Sequence, residues 1–465
     1  MGWLLVSEAA AGEARSYGIA AGLLTVALGT AGLLTYGFFA LASHNLSAND
    51  YGLIVVLWSV VFISVSILFR PIEQLLSRTI AEQQAHGRAI RHPLRVAATI
   101  QVGLAIAFAI VAFALRGRIE GELLEGNEFL FYTAVASVLG FGLSFFARGF
   151  LAGERRFGHF AVLLLLDGCA RLAFALAVAI GILEGVDAVA AGVIAGPVLS
   201  LLAVPLALAR RRSSPVRAAR RAEAAGPRPE APEFTLAHGG GFAAAVLVVM
   251  LSEQVFLSTG PLFARAEAGT AAAGFMFNVL MVARAPVVLF QAVAASLLPH
   301  LTRLHATAGG TSEDAFRLSV RITIAVIAAL ATALSLVLLG AGPELMQIAF
   351  GEKFAYKRLD LVIVAVGMGF YLSAATLNQA ALAQGQARRA AACWATCALG
   401  FTVWNLASPM EVFRQVEVGY LGSAIALCGL LYVVYRRPGP SPEDRLTPDS
   451  PQEIEARLAV ADDAV

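Results

Sequence analysis

Charged residues are scarce in this chain, and lysine is almost absent from it. Only 14% of its 465 residues are Asp, Glu, Lys or Arg, while 58% are hydrophobic and the mean hydropathy is +0.74. Soluble globular domains carry about 25% charged residues, so the composition indicates a polytopic membrane protein. Lysine occurs only at Lys353 and Lys357. This excludes a GxxxxGK(S/T) phosphate loop and the ATP binding that depends on it.

Cysteine and histidine are also few, and neither follows the spacing of a metal site. The four cysteines all lie in apolar segments, where small buried thiols are expected. Cys393 and Cys397 share one helical face, but a metal site would need further ligands. The connections between the apolar segments on the predicted outer side of the membrane, described below, are also too short to form a catalytic loop. We therefore expect no enzyme activity, no metal, no cofactor and no nucleic-acid partner.

Long apolar runs dominate what is present, and twelve of them are long enough to cross a bilayer as helices. Their predicted bounds are about 18 to 42, 52 to 76, 93 to 115, 128 to 150, 158 to 182, 187 to 209, 240 to 264, 273 to 299, 318 to 341, 360 to 384, 389 to 408 and 416 to 435. The predicted fold is therefore all-α, with about twelve transmembrane helices.

Arginine is concentrated in alternate connections between these spans, which assigns that side to the cytoplasm and places both termini there. The predicted division is a cytoplasmic N-terminus (1–17), a six-helix N-lobe (18–209), a basic linker (210–239), a six-helix C-lobe (240–436) and a disordered acidic tail (437–465). Weak similarity between even-numbered spans six apart suggests two related halves. Two such halves would rock about a central cavity and so give alternating access.

Arg284 stands out because it lies near the middle of the predicted eighth span, where a charge costs about 2.5–3.5 kcal/mol. No acidic residue lies three or four positions away on its own helix. Glu253, near the middle of the preceding span, is the candidate partner because adjacent helices usually pack together. The pair is either a static bridge or a coupling device, in which protonation of Glu253 or an anionic headgroup releases Arg284 to bind phosphate.

Other polar residues at membrane depth complete the candidate site. Arg70 shares a helical face with Glu73, and either pairs with it or extends toward the headgroups. Asp167 and Arg171 are four residues apart, which predicts an ion pair within one helix that is either structural or able to exchange partners with a substrate. The amides at this depth either bridge helices or contact sugar hydroxyls; they are Asn278, Gln291 and Asn378.

Three stretches carry a resemblance to a known family: GFMFNVLMVARAPVVLFQAVAASLLPHLTRL, RGFLAGERRFGHFAVLLLLDGCARLAFALA, and GEKFAYKRLDL together with LNQAALAQGQARRAA. They resemble polysaccharide biosynthesis proteins, the oligosaccharide flippases of the O-antigen translocase type in the multidrug/oligosaccharidyl-lipid/polysaccharide exporter superfamily. The resemblance implies two six-helix lobes of the MATE-like fold. It also implies translocation of a polyprenyl-pyrophosphate glycan across the bacterial cytoplasmic membrane, with polysaccharide polymerases or glycosyltransferases as further partners.

On this interpretation the substrate-binding candidates are Arg70, Arg171, Arg284, Asn278, Gln291 and Asn378, and the coupling candidates are Glu253 and Asp167. Two alternatives remain open at this stage. A cation-coupled multidrug exporter would use Glu253 for the ion or for a cationic drug, although cavity arginines disfavour a cationic cargo. A non-transporting scaffold of a cell-wall complex would use the basic linker and the acidic tail to recruit partners.

Overall fold

The computed structural model describes residues 2–85, 89–205, 236–284 and 311–437, and these residues form helices and no strands. This confirms the all-α polytopic fold. The helices are α1 (Gly2–Asn45), α2 (Ala48–Leu68), α3 (Arg70–Ala85), α4 (Arg91–Ala114), α5 (Glu128–Gly153), α6 (Phe157–Ala179), α7 (Gly185–Ser200), α8 (Leu236–Ser258), α9 (Gly260–Ala268), α10 (Thr270–Ala283), α11 (Thr311–Phe350), α12 (Arg358–Ala383), α13 (Ala387–Ala407) and α14 (Val412–Arg436).

Most of the predicted spans are present within a few residues of their predicted bounds. The described part of the chain contains 10 helices that are long and apolar enough to cross a membrane, or 11 if the bent pair α8 and α9 is one span. The predicted eighth span begins as α10, and its remainder falls in residues 285–310, outside the described residues. The predicted linker and tail also lie outside them for most of their length.

Proline explains the break between α2 and α3. Pro71 has no N–H and its ring crowds the carbonyl of Ile67, so the helical hydrogen-bond ladder is interrupted there. Phe69, just before the break, has φ −115° and ψ −24°. The two helices nevertheless continue as one 37-residue span, Ala48–Gln84. The result is one long element whose hydrogen bonding is weakened just past its middle, after the first 21 of its 37 residues.

The helices pack as two sets, α1 to α7 and α8 to α14. Within the first set α1 packs on α6, α6 on α7, and α3 on α5; within the second, α12 packs on α11 and α14, and α8 on α13. Packing between the sets is concentrated in α2, which lies against α8, α9 and α10, and in α1, which contacts α11. The peripheral helices α4 and α11 expose leucine, isoleucine and valine side chains, as expected for a surface facing lipid.

The two sets are joined at one end of the bundle, which we call the linked end; it carries the connections 46–47, 115–127, 180–184, 269, 351–357 and 408–411. There α2 and α10 approach so closely that a Cβ atom on Gly52 would lie 2.0 Å from the carbonyl oxygen of Thr270. Tyr51, on α2, contacts Phe354 of the second set, with ring centroids 6.1 Å apart. Only glycine permits this approach, because any side chain would occupy the space of the neighbouring backbone.

Polar contacts reinforce the linked end. Glu125 accepts hydrogen bonds from Asn49 Nδ2 at 2.7 Å and from the hydroxyl of Thr270. These bonds lower the pKa of Glu125 and favour its charged form. Lys353 donates to the carbonyls at the end of α1, including those of Ser43 at 3.1 Å and His44 at 2.9 Å. The linked end is thus held by hydrogen bonds of charged groups that run in both directions between the sets.

Candidate functional site

Arg284 lies at the interface between the two sets, directly after the last residue of α10. Its backbone N–H donates to the carbonyls of Leu280 and Met281, both at 3.1 Å, so it closes the helix. A cation at this position is favoured by the partial negative charge at a helix C-terminus. Tyr36 of α1 donates a 2.5 Å hydrogen bond to the Met281 carbonyl and so brings the first set against this helix end.

The guanidinium of Arg284 is buried and only partly satisfied. Within the residues that the structure describes, its Nε and Nη2 atoms have no hydrogen-bond partner. The polar groups within electrostatic reach of it are the phenols of Tyr36, Tyr371 and Tyr420. Tyr371 and Tyr420 belong to the second set and are 4% and 0% exposed. Arg284 therefore presents free donors in a ring of tyrosines, which is an arrangement suited to an anionic oxygen.

The expected ion pair between Glu253 and Arg284 is absent from this part of the described chain. Glu253 lies on α8, and the oppositely charged group within its electrostatic reach is Arg70 of the first set. The adjacency of two helices predicts that they pack together, but it does not fix how each is rotated about its axis. Arg70, in turn, forms no ion pair with Glu73, although the two lie within electrostatic reach of each other. Arg70 of the first set and Glu253 of the second thus lie within electrostatic reach of each other.

The predicted pair on α6 is present and has a third member. Arg171 Nη2 lies 2.9 Å from Asp167 Oδ2, and Arg148 Nη2 of α5 lies 3.4 Å from the same oxygen. Asp167 and Arg171 are 4% and 5% exposed. Arg171 also stacks over Trp58 of α2, with its Cζ 4.9 Å from the ring centroid. One buried carboxylate therefore forms ion pairs with two arginines, and the cluster has a net charge of one positive unit.

Sequence reasoning missed Arg148, although the sequence contains a signal for it. Arg148 begins the stretch RGFLAGERRF, whose arginines follow an apolar span and indicate the cytoplasmic side. In the structure it lies within α5, is 9% exposed, and its Nε has no hydrogen-bond partner among the described residues. A periodicity count along α5 places it on the same face as Phe145, whose ring centroid lies 4.8 Å from its Cζ. It belongs to the cluster rather than to the surface.

The three predicted amides have different positions. Asn278 is fully buried at the linked end, where its Oδ1 accepts from Tyr51 and its Nδ2 donates to Tyr356 at 2.9 Å. It bridges helices, and at 0% exposure it is not accessible to a sugar. Asn378, on α12, is 3% exposed, and its Oδ1 has no hydrogen-bond partner in the described part of the chain. Gln291 lies outside the described residues.

Comparison with known proteins by sequence gives no match. No protein-family model matches the chain, and no curated protein matches it.

Comparison by structure does give matches. The chain is similar to a multidrug resistance MATE family transporter of the MOP superfamily in its inward-facing conformation, with 14% identity, a TM-score of 0.61, and coverage of 88% of this chain and 93% of that one. The outward-facing conformation of such a transporter gives 14% identity, a TM-score of 0.60, and coverage of 90% and 94%. The Vibrio cholerae MATE transporter VcmN in its bent form gives 14% identity, a TM-score of 0.54, and coverage of 91% and 97%. The chain therefore has a MATE-like fold.

Proposed function

We propose that this protein is a membrane transporter that moves a lipid-linked oligosaccharide across the cytoplasmic membrane by alternating access. The observation that carries the proposal is Arg284, a buried guanidinium with two unsatisfied donor atoms at the interface between two sets of helices. A pyrophosphate would satisfy both donors, since arginine binds phosphate through parallel N–H···O bonds. The prenyl chain of the substrate would remain in lipid while its glycan passes between the sets.

The balance of charge between the sets supports an anionic substrate. The ionisable residues at membrane depth include four arginines and three carboxylates; they are Arg70, Arg148, Arg171, Arg284, Glu73, Asp167 and Glu253. The excess positive charge is costly in a low-dielectric interior unless an anion joins it. A cationic cargo would meet repulsion at the same place.

The linked end supports alternating access. The arginine distribution of the sequence assigns this end to the outer face of the membrane. The polar contacts of Glu125, Lys353 and Asn278 then close the protein toward the outside. The resemblance of the fold to a transporter solved in both inward-facing and outward-facing conformations fits a cycle in which these contacts form and break.

Lipid capture tests the proposal. The full chain, purified in mild detergent, is mixed with a polyprenyl-pyrophosphate oligosaccharide and studied by native mass spectrometry, for the wild type, Arg284→Gln and the control Arg388→Gln. Arg388 is exposed at the start of α13. Loss of charge-assisted hydrogen bonds of about 1.5–3 kcal/mol should weaken binding by about ten- to a hundredfold in Arg284→Gln only. Equal retention by all three proteins contradicts the assignment of Arg284.

A multidrug exporter is the second candidate. The similar structures in inward-facing and outward-facing conformations are of a multidrug resistance transporter, and Glu253 is a half-buried carboxylate on α8 within electrostatic reach of Arg70 in the first set. On that alternative, cationic dyes should bind to the wild type, and Glu253→Gln should abolish the binding. Dye binding that depends on Glu253, together with no capture of the prenyl lipid, would replace the first proposal.

A further inference from the structure

Glu417, on the second turn of α14, is an acidic side chain whose surroundings do not stabilise a negative charge. It is 0% exposed, and both of its carboxylate oxygens are buried without a hydrogen-bond partner among residues 2–85, 89–205, 236–284 and 311–437. An ionised carboxylate removed from water without donors costs several kcal/mol, whereas the neutral acid avoids most of that cost. The burial therefore favours a carboxyl group that holds a proton.

The charged groups around Glu417 do not offset this cost. Those within its electrostatic reach are Asp360 of α12, Arg414 of its own helix, Glu411 just before that helix, and Lys357 just before α12. Arg414 is already committed, because its Nη1 lies 3.5 Å from Asp360 Oδ1. If Glu417 were ionised, three carboxylates would face two cations. One proton restores the balance.

A pocket at the linked end is lined by the charged neighbours of this carboxyl group. It has a volume of about 270 Å³ and is lined by all four of them, Lys357, Asp360, Glu411 and Arg414. Glu417 itself does not line the pocket. Asp360 lines it, is 9% exposed and lies within electrostatic reach of Glu417. Asp360 is therefore the carboxylate through which a proton from the pocket could reach Glu417.

We propose that Glu417 is a proton-binding site of this protein, loaded in the conformation with the linked end closed, and that Asp360 passes protons between it and the pocket. The inference rests on the proposed transport function, for which it supplies the coupling ion. A proton fits better than a metal ion, because monovalent and divalent cations require several oxygen ligands. In the described part of the chain, no group of three or more metal-ligating side chains is present.

The site is connected to the closure of the linked end through residues 351–357. Lys357 ends this segment. Within it, Lys353 and Phe354 contact the first set directly, at His44 and Tyr51. Tyr356 accepts a hydrogen bond from Asn278, which in turn accepts one from Tyr51 of the first set. Loss of the proton creates a negative charge that attracts Lys357 and Arg414 inward, which pulls the segment away from the first set. Opening of the linked end, in turn, admits water and stabilises the ionised form. Proton release and opening are therefore linked reciprocally.

Infrared spectroscopy tests the proton directly on the full chain in lipid nanodiscs near neutral pH. The C=O stretching band of a protonated carboxyl group should be present in the wild type and in the control Glu267→Gln, an exposed carboxylate of α9 outside the pocket, and absent in Glu417→Gln. Should Glu417→Gln fail to fold, Glu417→Asp retains a carboxyl group and should shift the band. Absence of the band from the wild type, or a band that neither Glu417 variant alters, overturns the proposal.

A second readout separates this proposal from the proposed substrate. The distance between spin labels at positions 184 and 352, in the two sets at the linked end, should lengthen as the pH is raised above neutral in the wild type and in Glu267→Gln. In Glu417→Gln, which imitates the protonated state, that lengthening should be lost. Neither measurement uses a lipid-linked glycan, so failure of lipid capture leaves this result intact. A lengthening above neutral pH that persists in Glu417→Gln contradicts the role of this residue.

Discussion

At Gly52 the backbones of the two sets are in direct contact, so the change of one hydrogen to a methyl group tests the closure of the linked end. In Gly52→Ala the new Cβ would lie 2.0 Å from the Thr270 oxygen and 2.6 Å from its carbonyl carbon, where ordinary contacts begin at 3.4 Å. The helices must separate by about 1.4 Å to accommodate it. Both contacting atoms belong to the backbone, so no side-chain rotation can relieve the clash.

The size of the effect follows from two opposing terms. Overpacking of this kind costs about 1–3 kcal/mol. Replacing glycine by alanine within a helix returns up to about 1 kcal/mol through helix propensity. The clash acts only in the closed arrangement, while the propensity term acts in both. The ratio of closed to open molecules should therefore fall by about five- to 150-fold.

Distances between spin labels at positions 184 and 352 measure this ratio, in a background with the four native cysteines replaced. Glu184 and Glu352 are both exposed at the linked end. The control is Gly429→Ala, because a Cβ at that helical position meets nothing within 4 Å. Gly52→Ala should lengthen the mean distance and the control should not. If Gly52→Ala leaves both the distance distribution and the melting temperature unchanged, the close approach of α2 and α10 is not what holds the sets together.

Two further predictions concern charged groups. Because hydrogen bonds from Thr270 and Asn49 lower the pKa of Glu125, they stabilise closure above the ordinary carboxyl pKa and lose that effect as the pH falls through the lowered value. The spin-label distance should lengthen on acidification below pH 4.5, the ordinary pKa of the carboxyl group, and Glu125→Gln should remove that response; an identical response in the variant would refute it. Asp167→Asn should destabilise the protein by about 3–5 kcal/mol, because it leaves two buried arginines without a partner. The measurement is thermal unfolding, with Glu82→Gln as the control. Glu82 forms an exposed i,i+4 ion pair with Arg78, and such pairs contribute less than about 1 kcal/mol. Equal losses of stability in Asp167→Asn and Glu82→Gln would contradict the structural role of the buried pair.

The spans could be predicted from the sequence because bilayer crossing is a property of length and hydropathy alone. The bounds predicted for α5, 128 to 150, differ from the observed Glu128–Gly153 by three residues. The pair Asp167 and Arg171 was predictable for a similar reason, since a spacing of four fixes two side chains on one helical face. Both properties depend only on residues that are close together in the sequence.

The partners of Arg284, Glu253 and Asn278 could not be predicted in the same way. Each depends on how a helix is rotated about its axis and on which element of the other set lies opposite. Asn278 illustrates this, because its partners Tyr51 and Tyr356 are distant from it in sequence. Glu417 could not be predicted for the same reason. In the sequence it is an acid near the start of a helix, where exposure at the membrane surface is expected, whereas in the structure neighbouring helices leave it 0% exposed.

The break at Phe69 turns α2 and α3 into a lever with a built-in pivot. Its 21-residue arm, Ala48–Leu68, touches the second set, while its base, α3, is seated in the first set against α5. At 1.5 Å per residue the arm is about 30 Å long, so a bend of only about 10° displaces its tip by about 5 Å. Proline has already removed a hydrogen bond at the pivot. The tip can thus leave the second set without unwinding a turn of helix, and movement at one face of the membrane requires little rearrangement at the other.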